Sequence, residues 1–113
     1  MKIRAIVKRP DEPFGHMTNA SNTLQNLQNI VEGYIEVVDC GNGLLIICNK
    51  EGKIQELEPN IPNPNHPHDD ELVGTIVVCG QNGVEFGDIP IEFATWKEKL
   101  KKLREERSKA WKN

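Results

Sequence analysis

The run Leu44-Leu45-Ile46-Ile47-Cys48 is apolar at every position, and it constrains the fold more than any other part of the chain. A strand with one wet face alternates apolar and polar residues, whereas one that is apolar throughout is covered on both faces. The run is therefore expected to lie at the centre of a sheet with material packed above and below it. Gly41-Asn42-Gly43 precedes it, and these residues tolerate the positive φ angles of a tight hairpin. Tyr34 to Asp39 supplies the other arm, so the pair is antiparallel.

The remaining elements follow from periodicity. Over residues 2–8, Ile3, Ala5 and Val7 face one way and Lys2, Arg4 and Lys8 the other, with Ile6 breaking the alternation. This is the pattern of a half-buried strand. Arg9-Pro10 ends it, and residues 10–19 read as a loop of varied chemistry. Leu24, Leu27, Ile30 and Val31 recur at helical spacing. They predict a helix of about three turns, capped by Ser21 or by Asn19 or Asn22 in its place, and stopped by Gly33.

After the hairpin, Lys50-Glu51-Gly52-Lys53 turns the chain toward Ile54 to Leu57. Residues 58–71 hold Pro59, Pro62, Pro64 and Pro67 among asparagines and histidines, and they read as an irregular, disordered excursion. Leu72 to Cys79 reads as a further strand, followed by a turn at Gly80-Gln81-Asn82-Gly83 and a short extended piece through Phe86. Pro90 suits a first helical turn. Beyond it Phe93, Trp96, Leu100 and Leu103 form one apolar stripe, with Trp111 two turns further on. The order β-α-β-β-β-α predicts an α+β domain: a small, mostly antiparallel sheet with a helix after the first strand and a C-terminal amphipathic helix. Residues 1–96 are expected to form the body, and residues 97–113 a basic helical extension.

Composition narrows the function classes. With 113 residues and 37% hydrophobic content, the chain can build one core. The net charge of −3 is divided: residues 1–96 hold six basic and fourteen acidic side chains, and residues 97–113 hold eight and three. An acidic body argues against a duplex-binding surface, which needs a basic face on the domain itself. The longest apolar run falls far short of the ~20 residues that span a bilayer. The N-terminus carries charges throughout its first eight residues, unlike a signal peptide. Cys40, Cys48 and Cys79 are odd in number and widely spaced, which fits a reducing cytoplasm and no disulfide framework.

Motifs for chemistry are few. His66-Pro67-His68-Asp69-Asp70 offers metal-ligand side chains, but no second cluster completes the set, so a solvated loop is expected and no metal. No nucleophile elbow, P-loop or dinucleotide-binding glycine motif is present. His16 is the sole histidine outside the Pro-rich stretch, and no cysteine is paired with it. No catalytic residue is assigned, and neither enzyme activity nor a cofactor is expected. The basic run from Lys97 to Lys112 reads as a solvated helix with intrahelical ion pairs. The loop after the first strand is the richer candidate. Arg9 can fork onto a phosphate, Phe14 can stack on a base, and His16, Thr18, Asn19 and Asn22 suit ribose hydroxyls and base edges.

The block from Met1 to Asn19, together with Thr23-Leu24-Gln25-Asn26-Leu27-Gln28, Gly33-Tyr34-Ile35-Glu36-Val37-Val38 and Ile47-Cys48-Asn49-Lys50-Glu51-Gly52, resembles a family of small phage proteins. Val73-Gly74-Thr75-Ile76-Val77-Val78 and Glu85-Phe86-Gly87-Asp88-Ile89-Pro90 extend the pattern across about residues 1–96. The family is that of the Thoeris anti-defence proteins of the first type, sponges that sequester bacterial immune signals. The resemblance implies a binding protein without turnover, at work in the cytoplasm of the infected bacterial host. It would capture glycocyclic ADP-ribose, the signal of a TIR enzyme, and in some members also the cyclic di- or trinucleotides of CBASS. It further implies a homo-oligomer, either a dimer or a trimer of dimers, with no duplex nucleic acid and no membrane as partner. Carried onto this chain, the candidate ligand-binding residues are Arg9, His16, Met17, Thr18 and Asn19, with Phe86 for base stacking and Asp88 for ribose hydroxyls. Residues 58–71 and 97–113 depart from the family pattern. The rival expectation is a phage inhibitor that docks onto a host defence protein through its basic helix and acidic body.

Overall fold

The computed structural model describes the backbone of residues 1–111 and the surroundings of side chains through Lys109. Its elements are β1 (Lys2–Lys8), β2 (His16–Ser21), α1 (Leu24–Val31), β3 (Ile35–Asp39), β4 (Leu45–Asn49), β5 (Pro59–Asn63), β6 (His66–Val73), β7 (Ile76–Asn82), β8 (Glu85–Gly87) and α2 (Phe93–Trp111). The main sheet runs β2-β1-β7-β4-β3, with β8 also paired to β7. Every pairing is antiparallel, and the α+β class is as expected.

β4 is buried at all five positions, because it lies between β7 and β3 and is covered on both faces. One face packs Ile3, Ala5, Leu45, Ile47, Val77 and Cys79 against Leu27 and Val31 of α1. The other packs Ile6, Ile46, Cys48, Ile76 and Val78 against Trp96 and Leu100 of α2, and against Ile61 and Leu72 of the β5–β6 hairpin. Ile6 broke the alternation of β1 because that strand, too, is covered on its second face. Leu100 is fully buried and Leu103 packs on the same cluster, so core packing runs through the boundary expected at Trp96. The side chain of Trp111 lies outside the described surroundings. Among the described residues, no helix is long and apolar enough to cross a membrane.

Several local expectations need correction. Residues 16–21, read as loop and helix entry, form β2, which pairs with β1 from Lys2↔Ser21 to Val7↔His16. The true N-cap of α1 is Thr23, whose Oγ1 accepts the Asn26 N–H. The helix has eight residues, and Glu32 rather than Gly33 takes the left-handed position, at φ 64°. Gly33 is required for space instead, since a Cβ there would meet Asn49 Nδ2 at 2.7 Å. Pro90 precedes α2 by three residues rather than sitting in its first turn.

The segment over 58–71 is not irregular. It builds β5 and the start of β6, paired antiparallel with two register shifts. A two-stranded ribbon has outer edges on both sides, so Pro59, Pro62 and Pro67 forfeit no ladder bond that the fold needs. Ile61 and Leu72 anchor it to the core. Asn60 Nδ2 donates to the Lys8 and Gly74 carbonyls, both at 2.8 Å, so the asparagine ties the hairpin to β1. The expected strand over 72–79 is broken at Gly74, whose φ of +75° turns the chain from β6 into β7.

Lys8, expected on the outer face of β1, is fully buried. The hairpin lies over it, and its ammonium donates to Asn60 Oδ1 and the Arg9 carbonyl. Burial, reinforced by the nearby Arg104 guanidinium, pushes its pKa down to about 8.

Candidate functional site along the edge strand

β2 ends the sheet, and among the described residues no strand lies beyond it. Its side chains therefore alternate between the sheet's two faces along an open edge. Thr18 and His16 stand opposite Ala5 and Val7, on the α1 side, whereas Met17 and Asn19 stand opposite Ile6 and Arg4.

Two shallow cavities flank this edge. Where β2 meets α1, His16, Thr18, Asn19 and Ser21 line a space of about 300 Å³ together with Lys2 and Asn26. A second, of about 230 Å³, is lined by Arg4, Met17, Thr18 and Asn19. Each has one cationic side chain in its lining, Lys2 in the first and Arg4 in the second. Hydroxyl and amide groups accompany both, the His16 imidazole only the first and the Met17 thioether only the second.

At the β1–β2 turn, Glu12 draws together two of the expected residues. Its carboxylate accepts the Arg9 backbone N–H at 2.9 Å and pairs with His16 Nδ1 at 2.9 Å, while Arg9 Nε lies 3.6 Å away. The Arg9 N–H bond, with His16 and the Arg9 side chain adding to it, holds this carboxyl below the usual glutamate range. Arg9 also faces Asp11 at 3.8 Å, so it stands in a partly neutralised cluster beside the cavities.

Phe86 and Asp88 belong to a different part of the edge. Asp88 Oδ1 accepts the Arg4 N–H at 2.8 Å and the Ile89 N–H donates to the Arg4 carbonyl, so this segment flanks β1 opposite β2. Asp88 lines a cavity of about 360 Å³ with Met1, Lys2, Gln81 and Asn82. Phe86 packs against the α1-side core, and its carbonyl accepts from Asn22 Nδ2. The seven expected residues therefore divide: His16, Met17, Thr18 and Asn19 share the β2 edge, Arg9 stands at its turn, and Phe86 and Asp88 lie across β1. Phe14 is engaged by α2, with Lys97 Nζ and the Arg104 guanidinium each 5.3 Å from its ring centre.

One cavity has no counterpart in the sequence expectations. Gln28, Asn29, Glu32, Tyr34, Glu51 and Gln55 line about 410 Å³ at the C-terminal end of α1. The buried Asn49 organises its walls: Nδ2 donates to the Val31 and Glu32 carbonyls and to Gln55 Oε1, and Oδ1 accepts the Glu51 N–H. The sequence signal was the asparagine closing an otherwise apolar strand.

The cysteine environments suit apolar packing. Burial pushes the thiols of Cys40 and Cys48 up to about 11 and that of Cys79 to about 12, away from nucleophilic thiolate character. His68 lies beside Glu106 at 3.5 Å on α2. Among the described residues no three His, Cys, Asp or Glu side chains converge to hold a metal.

The model of a family described as a domain of unknown function (DUF3846) matches residues 1–103. No curated protein and no solved structure matches the chain.

Proposed function

For a chain that belongs to the DUF3846 family, whose description carries no activity, we propose a binding protein that sequesters a nucleotide-type signal without turning it over. One observation carries this reading: β2 sets His16, Thr18 and Asn19 along an open edge between two cavities, each with a single cationic side chain in its lining, Lys2 or Arg4. A nucleotide signal offers anionic phosphates and polar ribose and base edges, and this donor set complements both. The resemblance to the Thoeris anti-defence sponges supports the same reading. The ligand is then a cyclic ADP-ribose-type signal, with cyclic oligonucleotides of CBASS as a second class, and the site of action is the cytoplasm of a phage-infected bacterium.

An open strand edge also suits pairing with a second copy of the chain. A homo-oligomer joined there would add a second wall to both cavities. Sequestration needs no nucleophile or metal; it needs affinity and copy number enough to hold free ligand below its receptor's dissociation constant.

Incubating the protein with glycocyclic ADP-ribose, removing unbound ligand and heat-denaturing the complex is expected to release the signal intact. Recovery of a cleaved product would favour an enzyme instead.

A second reading rests on α2. Lys97, Lys101 and Arg104 gather around the Phe14 ring, a cationic surface suited to an acidic face of a host protein. Charge reversal at Lys97 and Lys101 separates the readings. The partner-docking reading loses activity, while the β2-edge reading retains signal binding.

A further inference from the structure

We propose that the cavity between α2, β4 and the tip of the β5–β6 hairpin binds a small aromatic carboxylate. It lies on the face of the sheet opposite α1 and does not depend on the nucleotide reading. Leu44, Ile46, Trp96 and Leu100 form its walls, Cys40 and Lys99 stand among the lining residues, and its volume is about 160 Å³. A closed apolar cavity of about 150 Å³ takes up benzene; this one matches it in volume and opens to solvent on one side, so it admits a single ring with a polar head left at the mouth.

The walls offer the ring carbon surface. Trp96 Nε1 is spent on the Phe14 carbonyl at 2.9 Å, leaving the indole's apolar body toward the cavity. The Cys40 thiol is held neutral, pushed up to about 11 by burial and by Asp39 against the opposing pull of Lys99. It acts as an apolar wall and makes no covalent bond. Lys99 is exposed and sits on α2 between Trp96 and Leu103, residues that line the same cavity. A lysine so placed can lay its stem along apolar surface with its ammonium in water. Among the described residues no carboxylate lies within ion-pair distance of it; the neighbouring Asp39 spends Oδ1 on the Gly41 N–H. A ring in the cavity with an anionic head toward Lys99 satisfies both chemistries, whereas a cationic ligand is repelled and a neutral one leaves the ammonium unused.

The test is an NMR titration of the full chain with phenylacetate and with its neutral analogue 2-phenylethanol. Phenylacetate is expected to bind saturably in the millimolar range, shifting the Ile46 and Leu100 amides and the Trp96 indole. Lys99→Gln, at an exposed position, should weaken phenylacetate about three- to fivefold, the scale of a solvent-screened charge contact, and leave 2-phenylethanol unchanged. Cys40→Leu, which fills the cavity, should weaken both. Should that variant not fold, competition in the wild-type protein reads the same occupancy: phenylacetate and 2-phenylethanol should exclude one another from the Ile46 and Leu100 shifts. Absence of saturable shifts, shifts that map to another surface, or an unaltered affinity ratio in Lys99→Gln would overturn the proposal.

Discussion

The two faces of the main sheet are covered very differently. On one, eight-residue α1 buries Leu27 and Val31 and leaves cavities with polar side chains along its flank and at its C-terminal end. On the other, α2 and the β5–β6 hairpin together bury Trp96, Leu100, Ile61 and Leu72, seal Lys8 inside and leave an apolar cavity. A short lid leaves backbone ends and amide side chains within reach of water; a long lid excludes water and makes every buried polar group depend on a partner. The α1 face is thus suited to polar ligands, and the α2 face carries stability.

The largest expected effect tests that division. Trp96→Ala removes a buried indole and its bond to the Phe14 carbonyl, and should cost about 4 kcal/mol. Leu27→Ala on the α1 face should cost about 3 kcal/mol. Urea unfolding of both variants checks the order, and a larger loss at Leu27 would invert the account.

Next in size is a pH effect confined to the α2 face. Lys8 titrates at about 8 when folded against a reference of 10.5. Between these values the unfolded chain holds the extra proton, so stability rises with pH, by at most about 1.4 kcal/mol per pH unit. Below the folded pKa both states are charged and the burial penalty is present in full. The three thiols, raised by burial above their usual range, act in the opposite sense in any variant that keeps them, so the effect is read as a difference. Between neutral pH and about pH 10, the unfolding free energy of wild type should gain on that of Lys8→Met. An identical pH dependence in the two proteins would place the titration elsewhere.

The smallest effect is on the α1 face. Glu32 holds a left-handed φ that a side chain disfavours, so Glu32→Gly should stabilise the protein by roughly 0.5–1 kcal/mol. A loss of stability would mean that the glutamate side chain contributes more than its backbone strain costs.

What was readable in the sequence tracks how local each cause is. The burial of β4 showed in its own composition, and α1 in its spacing. Lys8 read as an outward residue because the hairpin that covers it lies fifty residues away in the chain, and residues 58–71 read as irregular because prolines forbid a central strand but not a ribbon. At the candidate site, His16, Thr18 and Asn19 were legible by their chemistry, while their arrangement was missed. Reading residues 16–19 as a loop hid the alternation that sends Met17 and Asn19 to the opposite face. Nothing local signals that Asp88 would cap the Arg4 N–H. That contact is made where the chain leaving β8 passes so close to β7 that a Cβ at Gly80 would lie 2.0 Å from the Asp88 carbonyl oxygen.

On the proposed reading, the β2 edge holds a nucleotide-type ligand. Calorimetric titration of glycocyclic ADP-ribose into wild type and into a Thr18→Ala/Asn19→Ala double variant tests it most directly. The account predicts saturable binding that weakens at least tenfold in the variant, the loss of about two hydrogen bonds, with unfolding unchanged within about 1 kcal/mol. Binding that is absent in wild type, or equally strong in a folded variant, would contradict it.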